Sequence, residues 1–364
     1  MTTFGSKHEK WIREALALAE KGRLGASPNP LVGACVVRAG VCQGKGFHEK
    51  YGGPHAEIRA LRNAGKKTKG AALYVTLEPC ATWGKTPPCV EAIVRAGIRE
   101  VVIGALDPNP RNHGKGVAAL RREGIRVAAG VLSAAVTRQN ESFFKWTKKQ
   151  LPFVTLKMAQ SLDGKIATRN GLSRWISSPA SRHFVHRLRA EQDAILIGKN
   201  TLFRDNPKLS PRFGRNGRPA EKPWRIVLDP ELQASSRARV FQGGQLTFLV
   251  ASEKTLHKKN GRSHIVLPVP EKRGSLDLKV LLRKLASLGV AKLLAEGGGE
   301  LAWSLLKEGL VDKAYWIVAP KIIGGRSAKT SAEGEGVHHP AQALPCKIER
   351  VSSLGDDWLF EGRF

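Results

Sequence analysis

One imidazole, two thiols and one carboxylate stand at spacings that suit a catalytic zinc site. His55 and Glu57 belong to Pro-His-Ala-Glu, Cys80 ends Leu-Glu-Pro-Cys, and Cys89 ends Pro-Pro-Cys nine residues later. Thiolate and imidazole bind zinc well, and a catalytic zinc keeps three protein ligands and one open position for water. We therefore predict that His55, Cys80 and Cys89 bind one Zn²⁺, which would lower the pKa of a bound water to about 7.

The carboxylate of Glu57 is suited to moving protons. It lies two residues from His55 and cannot easily share the same zinc. A carboxylate beside a zinc-activated water can take a proton from that water and return it to a departing amine, which is the chemistry of hydrolytic deamination at a ring carbon. The alternative is a purely structural zinc site, which normally has a fourth Cys or His, and His48 is the one obvious candidate for that ligand.

Strand and helix patterns alternate around these groups. Cys80 follows a strand pattern, whereas His55 and Cys89 begin helical patterns, and two prolines before Cys89 suit the first turn of a helix. Such alternation indicates a layered α/β domain. The predicted helices cover 8–21, 55–64, 89–96 and 115–123, and the predicted strands cover 31–38, 41–47, 71–77, 99–106 and 125–129.

A second α/β pattern begins after a polar, basic stretch that ends near Pro152. We therefore predict two domains, 1–148 and 149–364. Residues 203–223 are rich in Pro, Gly and Arg and predict a long connection, and connections of that length are often functional. The predicted strands of this half cover 153–159, 194–198, 225–228, 246–250, 292–295, 314–319 and 358–364, and its predicted helices cover 179–189, 278–288 and 300–308.

Two features of the second half suggest ligand binding. Gly297, Gly298 and Gly299 follow Glu296 where a strand pattern gives way to a helix, and glycines there let backbone N–H groups approach a phosphate. This run is not the G-x-G-x-x-G dinucleotide fingerprint, and glycine is also common at ordinary helix starts and turns. Trp175 stands beside hydroxyl residues, an arrangement that packing in a core would equally explain.

Composition is typical of a water-soluble globular protein. The hydrophobic fraction is 41% and the charged fraction is 25%, and the five cysteines are too few and of the wrong parity for a disulfide framework. The beginning of the chain shows no signal-peptide pattern, and no apolar run approaches the ~20 residues that span a bilayer. We therefore expect a cytoplasmic protein with no membrane partner.

The net charge of +29 is high and is shared by both halves. Residues 1–150 hold 25 Lys and Arg against 11 Asp and Glu, a net of +14, and the remainder holds 35 against 20, a net of +15. This balance suits phosphorylated substrates and cofactors, or nucleic acid. Aromatic residues make up only 6% and no RNA-binding signature is present, so we expect weak, salt-dependent contact with nucleic acid and no specific recognition.

The first half carries five short motifs around the predicted zinc site: Asn29-Pro30-x-Val32-Gly33, Gly44-x-Gly46-x-His48, His55-Ala56-Glu57, Thr76-Leu77-Glu78-Pro79-Cys80 and Gly84-Lys85-Thr86-Pro87-Pro88-Cys89. Together they resemble the deaminase half of the RibD family, the bifunctional enzymes of riboflavin biosynthesis. The eight residues between the cysteines match that family and differ from cytidine and tRNA adenosine deaminases. The resemblance implies a cytidine-deaminase-like three-layer α/β/α fold and, as substrate, a 2,5-diaminopyrimidinone carrying a ribosylamino 5′-phosphate.

The same resemblance implies roles for particular side chains. Glu57 would be catalytic, and Asn29, His48 and Lys85 would bind the substrate. The chain departs from the family at one place. The family usually has a His two residues after the first cysteine, and Thr82 takes that position here, in what should be the substrate pocket.

Motifs of the second half resemble the reductase half of the same family, a dihydrofolate-reductase-like α/β domain that uses NADPH. They follow the family's order along the chain. These motifs are Ser161-Leu162-Asp163-Gly164, Trp175-Ile176, Leu188-Arg189, Asp193-Ala194-Ile195, Thr201-x3-Asp205-Asn206-Pro207-x-Leu209, Arg212, Glu296-Gly297-Gly298, and Leu310-Val311-Asp312 leading to Ala319-Pro320-Lys321-x-x-Gly324-Gly325.

This second resemblance implies reduction of a ribosylamino group to a ribitylamino group, with hydride delivered to C1′. Asp205 and Glu296 are both candidates for the general acid. The residues that would contact NADPH are Ala159, Trp175, Thr201, Asp205, Gly297, Gly298 and Gly299. The residues that would contact the substrate are Ser173, Arg189, Leu209, Arg212 and Glu296.

The sequence therefore predicts a cytoplasmic bifunctional enzyme, in which a zinc deaminase makes the substrate of an NADPH-dependent reductase. Its partners would be phosphorylated pyrimidines, and a homo-oligomer is compatible with the sequence. Three alternatives stay open. They are a nucleic-acid or nucleotide deaminase, a monofunctional enzyme with one degenerate half, and a non-catalytic scaffold stabilised by zinc.

Overall fold

The computed structural model describes residues 5–211, 223–259 and 264–364. The chain divides into two compact units, residues 1–150 and 151–364, which places the division two residues beyond the expected one. Within the described ranges no helix is both long enough and apolar enough to cross a bilayer.

The first unit alternates strands and helices as the sequence pattern predicts. Its helices are α1 Ser6–Ala19, α2 Ala56–Ala64, α3 Cys89–Arg95, α4 Lys115–Arg122, α5 Ser133–Gln139 and α6 Glu141–Lys149. Its strands are β1 Gly33–Arg38, β2 Val41–Phe47, β3 Ala72–Leu77, β4 Glu100–Ala105 and β5 Arg126–Ala129.

These strands form a sheet in the order β2-β1-β3-β4-β5, in which β1 is antiparallel to both neighbours and β3, β4 and β5 are parallel. Alternate side chains of β1 point to opposite faces of the sheet, as the pleat of a strand requires. Val36 packs in a core with α2, α3 and α4, whereas Val37 packs in a second core with α1 and α5. The predicted three-layer α/β/α fold is confirmed.

The second unit is built on a larger sheet. Its helices are α7 Pro179–Ala190, α8 Lys199–Asp205, α9 Leu278–Ser287 and α10 Gly299–Lys307. Its strands are β6 Phe153–Ser161, β7 Ala194–Gly198, β8 Trp224–Leu228, β9 Thr247–Ser252, β10 Ile265–Val269, β11 Glu271–Lys272, β12 Ser275–Leu276, β13 Lys292–Ala295, β14 Lys313–Ala319, β15 Lys347–Leu354 and β16 Asp357–Arg363.

The large sheet has the order β10-β9-β8-β7-β13-β6-β14-β16-β15, and β11 and β12 form a separate hairpin. The strands from β10 to β14 pair in parallel, and β16 pairs antiparallel with β14 and β15. Helices α9 and α10 pack on one face and α7 and α8 on the other, as in the predicted dihydrofolate-reductase-like fold.

Strand order creates a crevice at one edge of this sheet. After β7 the chain passes through α8 to β8, on one side of β7, and after β13 it passes through α10 to β14, on the opposite side. Because β7 and β13 are adjacent and parallel, the two connections diverge from neighbouring carboxyl ends. Open α/β sheets bind ligands at such a switch point.

Several elements differ from the sequence-based expectation. The expected connection 203–223 begins inside α8, whose seven residues are too short for a clear helical period. Strands β10 and β15 and helix α5 were not predicted. Strand β15 is exposed, with mixed side chains on both faces. No regular strand alternation therefore marks it.

Candidate functional site

The three predicted zinc ligands converge in the first unit. His55 is the residue before α2, Cys80 follows the carboxyl end of β3, and Cys89 is the first residue of α3. Nδ1 of His55 lies 3.2 Å from Sγ of Cys89 and 3.6 Å from Sγ of Cys80. All three donor atoms lie within 4.8 Å of one another.

This donor set fits zinc, because one imidazole nitrogen and two sulfurs converge at one point as zinc coordination requires. It is also the one such group of His, Cys, Asp and Glu found among the described residues. His48 is not part of it. Its Nε2 lies 3.0 Å from Nδ2 of Asn29 and its Nδ1 lies 3.2 Å from the carbonyl oxygen of Pro54, so both ring nitrogens have other partners. Three ligands leave a fourth position open, which favours a catalytic over a structural site.

Hydrogen bonds favour the metal-binding forms and orientations of the ligand side chains. The backbone N–H of Cys89 donates to Sγ of Cys80 at 3.3 Å. Hydrogen bonding from the Cys89 thiol and from His55 lowers the pKa of Cys80 to about 4, so its thiolate, the form that binds metal, is favoured. On the far side of the imidazole, Oγ1 of Thr86 lies 3.4 Å from Nε2 of His55. A partner on the second ring nitrogen orients a ligating histidine.

The catalytic candidate Glu57 lies in the first turn of α2 and is only 3% exposed. Burial raises the pKa of its carboxyl group above the ordinary value. It is not a member of the converging donor set, although it is two residues from His55. A buried carboxyl group with a raised pKa holds a proton more readily than an exposed one, as a group that carries a proton from one atom to another must.

A buried carboxylate organises the loop that carries Cys80. Oε2 of Glu78 accepts backbone N–H bonds from Asp107 at 3.1 Å and Gly114 at 3.0 Å. Asn112 lies between these positions, and its Oδ1 accepts the N–H of Ala81 at 2.9 Å. The segment after β4 therefore supports both sides of the second ligand.

The remaining deaminase candidate, Lys85, is exposed, and its Nζ lies 4.2 Å from the ring centroid of Tyr51. Thr82 and Trp83 are also exposed, and Trp83 is 72% accessible. The loop between Cys80 and Cys89 thus offers a cation and an unpacked indole beside the donor set.

The second unit contains a cleft of about 1410 Å³ at the switch point between β7 and β13. A single ligand site usually has a volume of roughly 300–1,000 Å³, so this cleft has room for two molecules. Ten of the residues singled out in the sequence line it: Ala159, Ser173, Trp175, Arg189, Thr201, Asp205, Leu209, Glu296, Gly297 and Gly298.

Arg189 and Glu296 pair with each other inside this cleft through two hydrogen bonds. Burial alone would raise the pKa of Glu296, but the Arg189 guanidinium outweighs burial and holds that pKa below its ordinary value. Lys157 lines the same cleft, and burial lowers the pKa of its ammonium group. Lys157 was not among the predicted site residues, although a lysine within the mostly apolar strand β6 is a sequence feature that marks it.

Trp175 lies on a segment that three side chains hold in place. Oγ of Ser173 donates to Oδ1 of Asp205 at 3.0 Å. Nζ of Lys321 donates to the carbonyl oxygens of Trp175 at 3.1 Å and Ile176 at 2.9 Å. The indole itself is 61% exposed on the cleft.

Three candidates stand apart from the others. Leu209 lines the cleft, but its side chain is buried in the core with α7 and β7, so only its backbone is available to a ligand. Gly299 does not line the cleft, and a Cβ there would lie 2.4 Å from the carbonyl oxygen of Thr330, so glycine is required for packing. Arg212 lies outside the described residues.

Comparison with known proteins assigns both units. Residues 5–105 match the family model "Cytidine and deoxycytidylate deaminase zinc-binding region", and residues 152–360 match "RibD C-terminal domain". The riboflavin biosynthesis protein RibD of Aquifex aeolicus is 43% identical over 96% of each chain. That of Escherichia coli is 36% identical over 96% of this chain and 97% of its own. The chain belongs to the RibD family.

Solved RibD structures agree along the whole chain. RibD of Acinetobacter baumannii has a TM-score of 0.89 at 35% identity, and covers 98% of both chains. A Thermotoga maritima protein, described as a diaminohydroxyphosphoribosylaminopyrimidine deaminase/5-amino-6-(5-phosphoribosylamino)uracil reductase, has a TM-score of 0.86 at 34% identity. The chain is therefore a bifunctional enzyme of riboflavin biosynthesis, with a zinc-binding deaminase unit and an NADPH-dependent reductase unit.

Membership of the RibD family makes the predicted zinc site, its three ligands and the NADPH cofactor confirmed features of the chain. Sequence reasoning missed the supports of that site, Thr86 and Asn112. Thr86 stands inside the motif that ends at Cys89, where its residue type alone gave no role, and only the fold brings Asn112 to the loop after Cys80.

Proposed function

We propose that the first unit hydrolyses the ring amino group of 2,5-diamino-6-(5-phosphoribosylamino)pyrimidin-4(3H)-one. The second unit then reduces the ribosyl side chain of the product, 5-amino-6-(5-phosphoribosylamino)uracil, to ribityl. The observation that carries this proposal is one chain with a three-ligand zinc site beside a buried, non-ligating Glu57 and a separate cleft with room for two molecules. The Thermotoga relative's description names the same two activities.

In the deaminase unit, zinc held by His55, Cys80 and Cys89 would lower the pKa of a water to about 7 when bound. Glu57 takes a proton at its carboxylate and passes it to the departing ammonia. Its pKa, raised by burial, favours holding the proton between the two transfers. Glu57 is the one catalytic residue proposed for the deaminase unit.

Substrate binding in this unit is assigned to polar groups around the donor set. Asn29 and His48 form one hydrogen-bonded pair whose imidazole lies edge-on to His55, with ring centroids 5.4 Å apart. Because both ring nitrogens of His48 have partners, His48 orients the side-chain amide of Asn29, and that amide suits the donors and acceptors of a pyrimidine ring. Lys85 is exposed at the mouth and suits the 5′-phosphate. Thr82 offers a hydroxyl where the family usually has an imidazole.

In the reductase unit, NADPH supplies the hydride when bound. The backbone of Gly297 and Gly298 at the start of α10 suits its phosphates, because helix N-termini bind anions. The cleft surfaces of Ala159, Trp175, Thr201 and Asp205 suit the rest of the cofactor, whereas Gly299 is needed for packing. Ser173, the backbone of Leu209, Arg189, Arg212 and Glu296 are assigned to the substrate.

During reduction a proton must also reach one of the two heteroatoms bonded to C1′, either the amino nitrogen that joins the ribose to the pyrimidine or the ring oxygen of the ribose. Glu296 is held as a carboxylate by Arg189 and is a poor donor at neutral pH. Lys157 lines the same cleft with a lowered pKa, which makes its Nζ the better proton donor. We therefore assign the proton to Lys157 and the orientation of the substrate to the Arg189–Glu296 pair.

The test measures both steps in one preparation of the full chain. Ammonia release from the diaminopyrimidine phosphate reports deamination, and NADPH oxidation reports reduction. Glu57→Gln should retain zinc, abolish ammonia release, and still oxidise NADPH when supplied with the deaminated product. Loss of zinc, or full ammonia release, would contradict the role of Glu57. Absent NADPH oxidation with the deaminated product would contradict the reductase assignment.

Thiol chemistry supports a cytoplasmic setting. None of the five cysteines forms a disulfide, as expected in a reducing compartment. We place the enzyme in the cytoplasm, with phosphorylated pyrimidines as its small-molecule partners.

A further inference from the structure

One edge of the deaminase unit gathers cations that neither reaction uses. Segments 65–70, 95–100 and 121–126 contain eight Lys and Arg against two Glu. We call this surface the basic edge. It comprises Lys66, Lys67, Lys69, Arg95, Arg99, Arg121, Arg122 and Arg126, all exposed.

Backbone hydrogen bonds hold the three segments side by side. The N–H of Gly70 donates to the carbonyl oxygen of Gly97 at 2.8 Å, and that of Arg99 donates to Ala71 at 2.9 Å. The N–H of Arg126 donates in turn to Arg99 at 3.1 Å. Neighbouring strands are about 4.8 Å apart, so the three segments form a band roughly 10 Å wide.

Most of these cations lack a carboxylate partner. Arg126 lies 3.9 Å from Glu100, a long and exposed contact. Arg95 and Arg121 donate to backbone carbonyl oxygens. Among the side chains described in this unit, the other five cations of the basic edge form no ion pair: Lys66, Lys67, Lys69, Arg99 and Arg122.

The basic edge lies at the opposite end of the sheet from the zinc site. Lys69 precedes β3, whereas Cys80 follows it. A strand of six residues spans about 20 Å. A polyanion held at the basic edge is therefore not delivered to the zinc, and the charge does not serve to recruit the pyrimidine phosphate to that site.

We propose that the basic edge binds the phosphate backbone of single-stranded RNA, as a contact separate from catalysis. A narrow band of flexible cations suits successive phosphates of one strand. None of the exposed large apolar residues of the described chain lies in its three segments, so no stacking of bases is available and binding is independent of sequence. RNA is the single-stranded polyanion that a cytoplasmic enzyme meets.

The test uses a fluorescent oligocytidine of about 20 nucleotides, long enough to cross the band. Lys66→Gln, Lys67→Gln, Lys69→Gln and Arg99→Gln are combined in one variant. The matched control combines Lys148→Gln, Lys149→Gln, Lys279→Gln and Arg283→Gln, which removes the same charge from exposed positions elsewhere. A second variant, Lys66→Glu with Lys67→Glu, changes the net charge by the same four units at only two positions and provides an independent measurement. Thermal melting and zinc content check that each variant is folded.

The basic-edge variant should bind the oligocytidine at least tenfold more weakly than the control variant at about 50 mM salt. Its slope of log affinity against log salt concentration should also be shallower by about 3, because each of the four lost phosphate contacts contributes about 0.7 in single strands. Both variants should keep ammonia release unchanged. Equal binding by the two variants would overturn the proposal. So would equal or tighter binding of poly-L-glutamate, which would indicate an acidic protein as the partner. Conversion of the oligocytidine to uridine would contradict the separation from the zinc site.

Discussion

Arg189 and Glu296, 107 residues apart in the chain, form a bidentate ion pair in the reductase cleft, with Nε–Oε1 at 2.6 Å and Nη2–Oε2 at 2.8 Å. Their side chains are 17% and 9% exposed. The family resemblance of the sequence implied that both residues contact the substrate. In the structure, two of the five N–H donors of Arg189 are already bonded to Glu296. The guanidinium therefore positions a carboxylate in addition to any contact with the substrate.

Removal of Arg189 should destabilise the reductase unit, because it leaves a buried carboxylate without its partner. Arg189→Met is expected to cost about 3 kcal/mol of unfolding free energy, measured by urea denaturation. The double variant Arg189→Met with Glu296→Gln should recover a substantial part of that loss, since no unpaired charge then stays buried. Equal stability of the two variants would show that the pair contributes through packing alone.

The same pair predicts an acid limit to stability. The pKa of Glu296 is lower in the folded chain than its ordinary value of 4.5, so near that value the unfolded chain binds more protons. The stabilisation is therefore complete above about pH 4.5 and is lost as the pH falls through the folded pKa. The melting temperature of the second unit should fall more steeply with acid in the natural chain than in Glu296→Gln. Parallel curves of melting temperature against pH for the two proteins would contradict a stabilising role of the ionised Glu296.

Lys157 should set the alkaline limb of the reductase pH profile. Its pKa is lowered by burial, and a proton donor is active only while protonated, so the rate should fall as the pH rises through that pKa. Lys157→Met should lower kcat by about 10²- to 10⁴-fold, the usual range for a lost general acid. Lys157→Arg should retain binding but lose most of kcat and the alkaline limb, because a guanidinium does not release its proton. An alkaline limb and kcat that persist unchanged in Lys157→Arg would exclude Lys157 as the donor.

Removal of zinc should separate the two activities. Because His55, Cys80 and Cys89 belong to the first unit, a strong chelator should abolish ammonia release while NADPH oxidation with the deaminated product continues. Stoichiometric zinc should restore ammonia release. Cys80→Ser should behave like the chelated protein and resist rescue. Loss of both activities on chelation would indicate that zinc also maintains the second unit.

Lys321 should influence cofactor binding through the segment that carries Trp175. Its Nζ holds the carbonyl oxygens of Trp175 and Ile176, so Lys321→Met should loosen the indole on the cleft wall. KM for NADPH is expected to rise about three- to tenfold, equivalent to about 1 kcal/mol for lost hydrogen bonds, with kcat nearly unchanged. Quenching of Trp175 fluorescence by NADPH should weaken in parallel. Lys307→Met, at an exposed lysine that lines the cleft away from Trp175's segment, is the matched control.

The sequence by itself determined the zinc ligands, the identity of the two units and most of their elements. His55, Cys80 and Cys89 stand in short motifs whose residue types leave few chemical alternatives, and each adjoins a strand end or helix start that local pattern reveals. Strand β7 is a continuous apolar run, and β13 is apolar after its first residue, Lys292, because both faces of a central parallel strand are buried.

Only the tertiary structure decided which polar groups meet. Asn112 supports the loop after Cys80, Lys157 joins Arg189 and Glu296, and Lys69 lies beside Arg99 because sheet order and crossover connections bring distant segments together. Short-range periodicity records which face a side chain occupies, but it carries no information about the partner across a cleft. The even division of charge between the halves likewise gave no sign that eight cations share one edge of the deaminase sheet.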